Sequence, residues 1–392
     1  MQLQFHISTA LRVVAEAHVA EILRDAGTEG KHVKAIAQPK NLDPSKLARI
    51  LRLLATHHVF VEVAPNIFAN NRLSTILDTG KSVESLIKHP EDRFAGTQGI
   101  VALLAHTADD SFKTSAYLPE VLFDPAHGHL SDPDKTAFNR AFKCDVPMWT
   151  YFEAPGNEAR LGRFGHAMDG VKNMGRPDII LSGFDWKGLP KDSLVVDVGG
   201  GIGSQAMTLA QHHPHLKFVV QDRAPVVKDA VQFWNDNMPG VLKSGRVELQ
   251  GHDFFDPQPV KNADIFLLSL VLHDWSDALC ISILQQLRAA ATPSTRVVIR
   301  DNLMLYACAE DAAKGIPGAA QNLPPAPLLP NRGQATAMPY FVDMQMMGFF
   351  NGMERTFTQV KELMAQAGWR VAEVHHGEPF QLSQQKVVGV PM

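Results

Sequence analysis

Three groups able to manage a proton stand far apart in this 392-residue chain: His273 in SLVLHDWSD, Asp301 in RVVIRD and Glu354 in NGMERTFTQ. A neutral imidazole can take a proton from a hydroxyl, and carboxylates beside it can orient the ring and steady the cation that forms. Brought to one place, the three would make a general base with two orienting partners. A single His is more often a satisfied core or surface residue. The chemistry therefore depends on elements that gather all three.

Those elements can be read from hydrophobic patterning. From Asp192 onward, apolar runs at 194–198, 217–221, 246–250, 263–270 and 296–300 alternate with helical stretches, which predicts an α/β, doubly wound parallel sheet with helices on both faces. Ligands of such sheets lie outside the carboxyl ends of the strands. His273 and Asp274 follow the fourth strand, Arg300-Asp301 closes the fifth, and Glu354 sits in a turn just before a helix.

The first strand runs into VVDVGGGIG, where Gly199, Gly201 and Gly203 allow a tight turn against a ligand and the next helix, from about 204 to 212, presents free N–H groups. A dinucleotide fingerprint would need glycine at 204, but Ser204 is there, and the spacing is G-x-G-x-G with Asp197 two residues ahead. That form resembles the first motif of S-adenosylmethionine (SAM) methyltransferases. The second strand ends at Asp222, whose carboxylate can accept both ribose hydroxyls of an adenosine. After the third strand, Asp253 and Phe254 could meet the base, one accepting its amino group and the other covering the ring. Each acid alone would read as a helix or turn cap.

The first hundred residues read differently. Leu11, Val14, Ala15, Val19 and Ile22 recur at helical spacing over 7–23, a short helix spans 33–37, and Asp43-Pro44 opens another through about 56. Residues 59–63 and 67–69 flank an Ala-Pro-Asn turn as a hairpin. Helices plus a β-wing make a winged-helix pattern. Lys46, Arg49 and Arg52 would be its phosphate contacts in a DNA-binding regulator, but no wider basic cluster accompanies them, so a solvated helix face is favoured. Between 83 and 173 the pattern is mostly helical, with helices expected at 136–152 and 157–173 rich in Phe and Met. Residues 307–339, with six prolines, have no periodicity and are expected to form a loop or lid over the acceptor side.

Composition narrows the function classes. Net charge is −4 and 45% of residues are hydrophobic, an ordinary globular make-up without an electrostatic footprint for nucleic acid or anionic membrane. No apolar run reaches the length of a membrane span, and the N-terminus lacks a signal-peptide pattern. Cys144, Cys280 and Cys308 show neither disulfide nor zinc spacing, which fits a reducing cytoplasm.

Taken in order, VVDVGGGIG, Asp222, GHDFF, LHDWSD, RVVIRD and GMERT resemble the plant caffeic-acid-type and fungal small-molecule O-methyltransferases over most of the chain. LHDWSD followed by ERT is the specific part. The resemblance implies SAM as donor, a homodimer, no metal, and a phenolic or related hydroxyl as acceptor. It implies a winged-helix dimerisation domain at 1–100, then a helical substrate-binding segment and Rossmann-like SAM domain at 101–392. Carried over by motif, Gly199, Asp222, Asp253 and Phe254 would hold the cofactor, His273 would take the acceptor's proton, and Asp301 and Glu354 would orient it. Phe164, Met168, Met344 and Met347 would line the acceptor pocket. Two departures are visible: position 301 is commonly Glu in the plant enzymes, and Ser269 stands where a basic residue often contacts the cofactor. His273 is expected near the ordinary imidazole pKa of roughly 6.5, mostly neutral at pH 7. The rival reading is a SAM-binding relative that catalyses a rearrangement without methyl transfer, using Arg300 beside Asp301.

Overall fold

The computed structural model describes residues 3–175, 178–309, 315–319, 323–376 and 385–392. By compactness the chain divides into one unit of Met1–Val121 with Ala137–Arg176 and another of Leu122–Thr136 with Pro177–Met392. The helical segment expected to go with the nucleotide fold thus packs, for its larger part, with the N-terminal residues.

In the first unit, the helical pattern over 7–23 resolves into α1 (Phe5–Glu16) and α2 (Val19–Leu23), interrupted where His18 takes φ 57. α3 (Val33–Ala37) and α4 (Pro44–Thr56) follow; Asp43 caps α4 by accepting the Lys46 amide, and Leu47, Leu51 and Leu54 form its buried stripe. β1 (Lys31–His32), β2 (Val61–Ala64) and β3 (Ile67–Ala69) make a small sheet in the order β1-β3-β2. Val14, Ile36, Leu51, Phe60 and Phe68 fill the core beneath it. Arg52 donates to both oxygens of Glu62 on the wing, at 2.9 and 2.7 Å. That pairing occupies one of the three candidate phosphate contacts.

The remaining helices of this region are α5 (Val83–Lys88), α6 (Ile100–His106), α7 (Phe112–Ala116), α8 (Leu118–Leu122), α9 (Ala137–Phe142), α10 (Met148–Glu153) and α11 (Glu158–Met174). The single helix expected over 136–152 is two, because Lys143 adopts φ 53 and Pro147 precedes α10. Gly99 and Gly170 let α6 and α11 touch by backbone: a Cβ on Gly99 would lie 2.4 Å from the Gly170 amide nitrogen.

The second unit holds a seven-stranded sheet in the order β6-β5-β4-β7-β8-β10-β9. β4 (Leu194–Val198), β5 (Lys217–Asp222), β6 (Val247–Gly251), β7 (Ile265–Ser269) and β8 (Arg296–Asp301) are parallel, as the alternation predicts. Between them run α12 (Ser204–His212), α13 (Ala224–Asn237) and α14 (Asp277–Ala290). Then come α15 (Ala337–Phe350), α16 (Phe357–Gln366), β9 (Trp369–His375) and β10 (Gln385–Pro391). β10 is antiparallel to both β8 and β9. This last, antiparallel pair was not expected, since it lies outside the strand–helix alternation that marks the parallel strands. Both faces of the sheet are packed, by Phe266, Ile283 and Trp369 on one side and by Trp186, Phe218 and Trp234 on the other. Part of the expected lid, residues 310–314 and 320–322, lies outside the described residues. Its described return ends in a 3₁₀ turn, Gly333–Thr336, leading into α15.

Candidate active site

Beyond β7 the backbone turns sharply: Leu270 takes φ 55, and Leu272–Asp274 form a 3₁₀ turn carrying His273. The segment before α16 is fastened against that turn. Met353 N–H donates to the His273 carbonyl at 2.9 Å. Arg355 donates to the Leu272 and Trp275 carbonyls, each at 2.7 Å, and to Asp277 at 2.9 Å. Gly352 permits the approach, because a Cβ there would lie 2.2 Å from the His273 carbonyl oxygen.

This fastening brings Glu354 to His273. Nδ1 of the imidazole and Oε1 of Glu354 are 2.8 Å apart, and Asn302 donates to the same oxygen at 3.3 Å. The Glu354 amide in turn donates to Asp343 of α15 at 2.8 Å. Glu354 is 3% exposed; its Oε1 is held by His273 and Asn302, and its Oε2 meets no hydrogen-bond partner among the described residues. With Nδ1 committed as a donor to Glu354, the neutral ring has its lone pair on Nε2. A group placed there can give up a proton to it.

The electrostatics differ from the sequence expectation. Burial lowers the His273 pKa, but Asp274, Glu354 and Asp301 outweigh it and raise the imidazole to about 10. Asp274 contributes from 3.6 Å, its Oδ1 facing Nε2. The expectation of a mostly neutral ring at pH 7 is therefore corrected: three carboxylates around one buried imidazole favour its protonated form. Burial pushes Asp301 up to about 7 and Asp274 up to about 6, each against the opposing pull of His273.

His273, Asp301 and Glu354 border one small, mostly apolar cavity together with Asn302 and Met353. Asp301 acts there by charge, and its Oδ1 has no hydrogen-bond partner among the described residues. The hydrogen bond that orients the ring comes from Glu354 instead. Asn302 and Asp343 were not singled out from sequence; Asn302 is next to Asp301, whereas Asp343 lies mid-helix and carries no local signal.

The cofactor candidates lie at the ends of β4, β5 and β6. Gly199, Gly201 and Gly203 have φ of 68, 60 and 82. The Gly201 amide donates to Asp222 Oδ2 at 2.8 Å, and the Arg223 amide donates to Oδ1 at 2.8 Å. Burial raises the Asp222 pKa, opposed by those amides. A Cβ on Gly199 would come within 3.0 Å of Val271 and 3.4 Å of Phe254, so Gly199 and Phe254 are neighbours and position 199 leaves little room for a side chain. Phe254 packs edge-on to Trp275 at 5.7 Å. Asp253 is on the exposed turn and accepts the Phe255 amide at 3.0 Å. The glycine cradle, the adjoining carboxylate of Asp222 and the aromatic wall of Phe254 fit an adenosine-bearing cofactor.

Of the acceptor candidates, Met344, 47% exposed, and Met347, half-buried, lie on α15, the helix that also supplies Asp343. Phe164 and Met168 belong to α11 of the first unit. There Phe164 packs edge-on to His106 at 5.2 Å and to Trp149 at 5.1 Å, and Met168 is exposed. All three cysteines are free thiols. No helix among the described residues is long and apolar enough to cross a membrane.

Comparison with known proteins follows this geometry. Residues 124–316 match the O-methyltransferase domain family, and residues 1–80 match the O-methyltransferase dimerisation domain. The chain is 44% identical to 4-O-methyltransferase 1 of Phanerochaete chrysosporium, over 94% of this chain and 78% of that protein. It is 41% identical to an O-methyltransferase of Armillaria gallica, over 99% of this chain and 83% of that protein. Among solved structures, one described as a pericyclic reaction enzyme superposes with a TM-score of 0.72 at 20% identity, covering 100% of this chain and 88% of its own. That likeness is one of fold alone.

Proposed function

The chain belongs to the O-methyltransferase family, whose methyl donor is SAM, and from that premise we propose that it methylates a hydroxyl of a small phenolic compound with His273 as general base. The observation that carries this reading is the 2.8 Å contact between His273 Nδ1 and Glu354 Oε1, which commits Nδ1 and makes Nε2, 3.6 Å from Asp274 Oδ1, the ring atom that would meet the acceptor. SAM, when bound, supplies a methyl group on a sulfonium, the electrophile for an oxygen nucleophile. Gly199, Asp222, Asp253 and Phe254 are the residues proposed to hold it.

His273 takes the acceptor's proton at Nε2, and Glu354 keeps the ring in the orientation and tautomer that this requires. Asp301 and Asp274 add negative charge that stabilises the resulting imidazolium. The same carboxylates raise the imidazole to about 10, so the ring must be neutral before it can accept a proton, and that form grows as pH rises.

The same reading assigns residues 1–100 to dimerisation, so that the enzyme is a homodimer, and the rest of the chain to acceptor and donor binding. Incubation with SAM and a panel of phenols, with mass spectrometric detection of methyl ethers, tests it. Methylated phenols are expected. Consumption of an acceptor to an isomer of unchanged mass would favour rearrangement instead.

A further inference from the structure

The loop between β6 and β7 carries Asp253 and Phe254, and it is tied to the sheet by an amide pair that proton transfer at His273 does not use. Gln258, in that loop, and Gln221, on β5 directly before Asp222, are each 1% exposed. They bond reciprocally. Gln221 Nε2 donates to Gln258 Oε1 at 2.8 Å, and Gln258 Nε2 donates to Gln221 Oε1 at 2.9 Å. Gln221 Nε2 also donates at 2.7 Å to Oε1 of Gln250, its register partner on β6. The Val260 amide donates to Gln258 Oε1 at 3.1 Å.

Two buried carboxamides are costly unless their polar atoms are met, and here each oxygen and each nitrogen has a partner. What they add over apolar packing is direction, because a hydrogen bond holds an angle as well as a distance. Gln221 is a junction by main chain as well. Its carbonyl accepts the Gly200 amide at 3.0 Å, and the Asp222 carbonyl accepts the His252 amide at 2.9 Å. One residue thus ties the glycine loop through its backbone and the β6–β7 loop through its side chain. Gln286 of α14 adds a second brace to that loop, donating to the Phe255 carbonyl at 3.1 Å.

We infer that Gln221 and Gln258 are positioning residues for the adenine end of the cofactor. Their reciprocal bonds fix the β6–β7 loop relative to Asp222, so that Asp253 meets the exocyclic amino group of the base while Phe254 covers its ring. Neither glutamine touches the cofactor in this arrangement. The inference rests on the proposed cofactor role of Asp253 and Phe254.

The test is nucleobase selectivity, measured by calorimetric binding of S-adenosylhomocysteine and S-inosylhomocysteine to the full chain. The two ligands differ in whether the purine carries an exocyclic amino group or a carbonyl. Wild type should prefer the adenosine form roughly tenfold or more, and Asp253→Ala should abolish that preference. Gln258→Leu, which takes the donor from Gln221 Oε1, should shrink the preference to roughly threefold or less. Gln221→Leu combined with Gln258→Leu removes both polar groups together and should regain much of the melting temperature lost in the single variant, with the preference still low. A preference kept in Gln258→Leu, or restored together with melting temperature in the double variant, would overturn the positioning role. A wild type without preference would refute the contact of Asp253 with the base, and this inference with it. A preference that Asp253→Ala abolishes and Gln258→Leu leaves intact would refute the role of the glutamines alone.

Discussion

His273 Nδ1 lies 2.8 Å from Glu354 Oε1 across 81 positions of sequence. The contact is made by backbone as much as by side chain: Gly352 passes against the His273 carbonyl, Met353 bonds to it, and Asp343 holds the Glu354 amide. In the proposed reaction, which ring nitrogen would meet the acceptor follows from this one relationship.

Glu354→Gln should change the pH dependence of methyl transfer in a defined direction. The base must be neutral to accept a proton, and His273 is raised to about 10, so wild-type kcat/KM should climb with pH through neutrality and level off only near that value. Removing one of the carboxylates that raise the imidazole should move the climb to lower pH while lowering the plateau. A rate profile unchanged in position would show that Glu354 does not set the protonation of His273.

The same shift has a stability consequence. A folded-state pKa of about 10 against roughly 6.5 in the unfolded chain means that the His273 cation stabilises the fold. That contribution is fully present below about 6.5 and is lost as pH rises towards 10. His273→Ala should therefore shift the urea midpoint more at pH 6 than at pH 10. A shift independent of pH would assign His273 to packing alone.

Asp343 touches neither reacting centre in this account and acts through Glu354. Asp343→Ala should lower kcat, by about 1–3 kcal/mol of lost support for a buried group, and displace the pH profile, with SAM affinity retained. Asp343→Asn keeps an oxygen acceptor for the Glu354 amide and should recover part of the rate. Loss of thermal stability with an unmoved kcat and pH profile would make the contact structural only.

For acceptor choice, smaller side chains at Phe164, Met168, Met344 and Met347 should alter relative kcat/KM among phenols more than they alter melting temperature. The exposed Met344 and Met168 make the sharper test, since truncating an exposed side chain costs little stability. Competition between two phenols, read by mass spectrometry, measures the change directly.

The parallel sheet and the ends of its strands were legible because apolar runs, glycine turns and helix starts are local signals. VVDVGGGIG, LHDWSD and RVVIRD each announce a strand and the edge where it stops. The winged pattern at the N-terminus was legible for the same reason, down to the helix opened by Asp43-Pro44. What could not be read depends on distance in space. The antiparallel β9 and β10 complete the sheet through pairing with β8, and a strand's partner is not written in its own residues. Nor could the protonation of His273 be read, because it is set by three carboxylates that only the folded turn collects. Asp343, which accepts the Glu354 amide, escaped for that reason too, being an ordinary residue until its neighbour is known.

The central claim is that His273 receives the acceptor's proton, and the most direct measurement compares wild type with His273→Ala across phenols of graded acidity. With SAM saturating, the variant should lose roughly 10²–10⁴-fold in rate on a phenol of ordinary pKa, and the loss should shrink steadily for nitrophenol-like acceptors that are already ionised. An equal loss for every acceptor, whatever its pKa, would contradict proton transfer to His273.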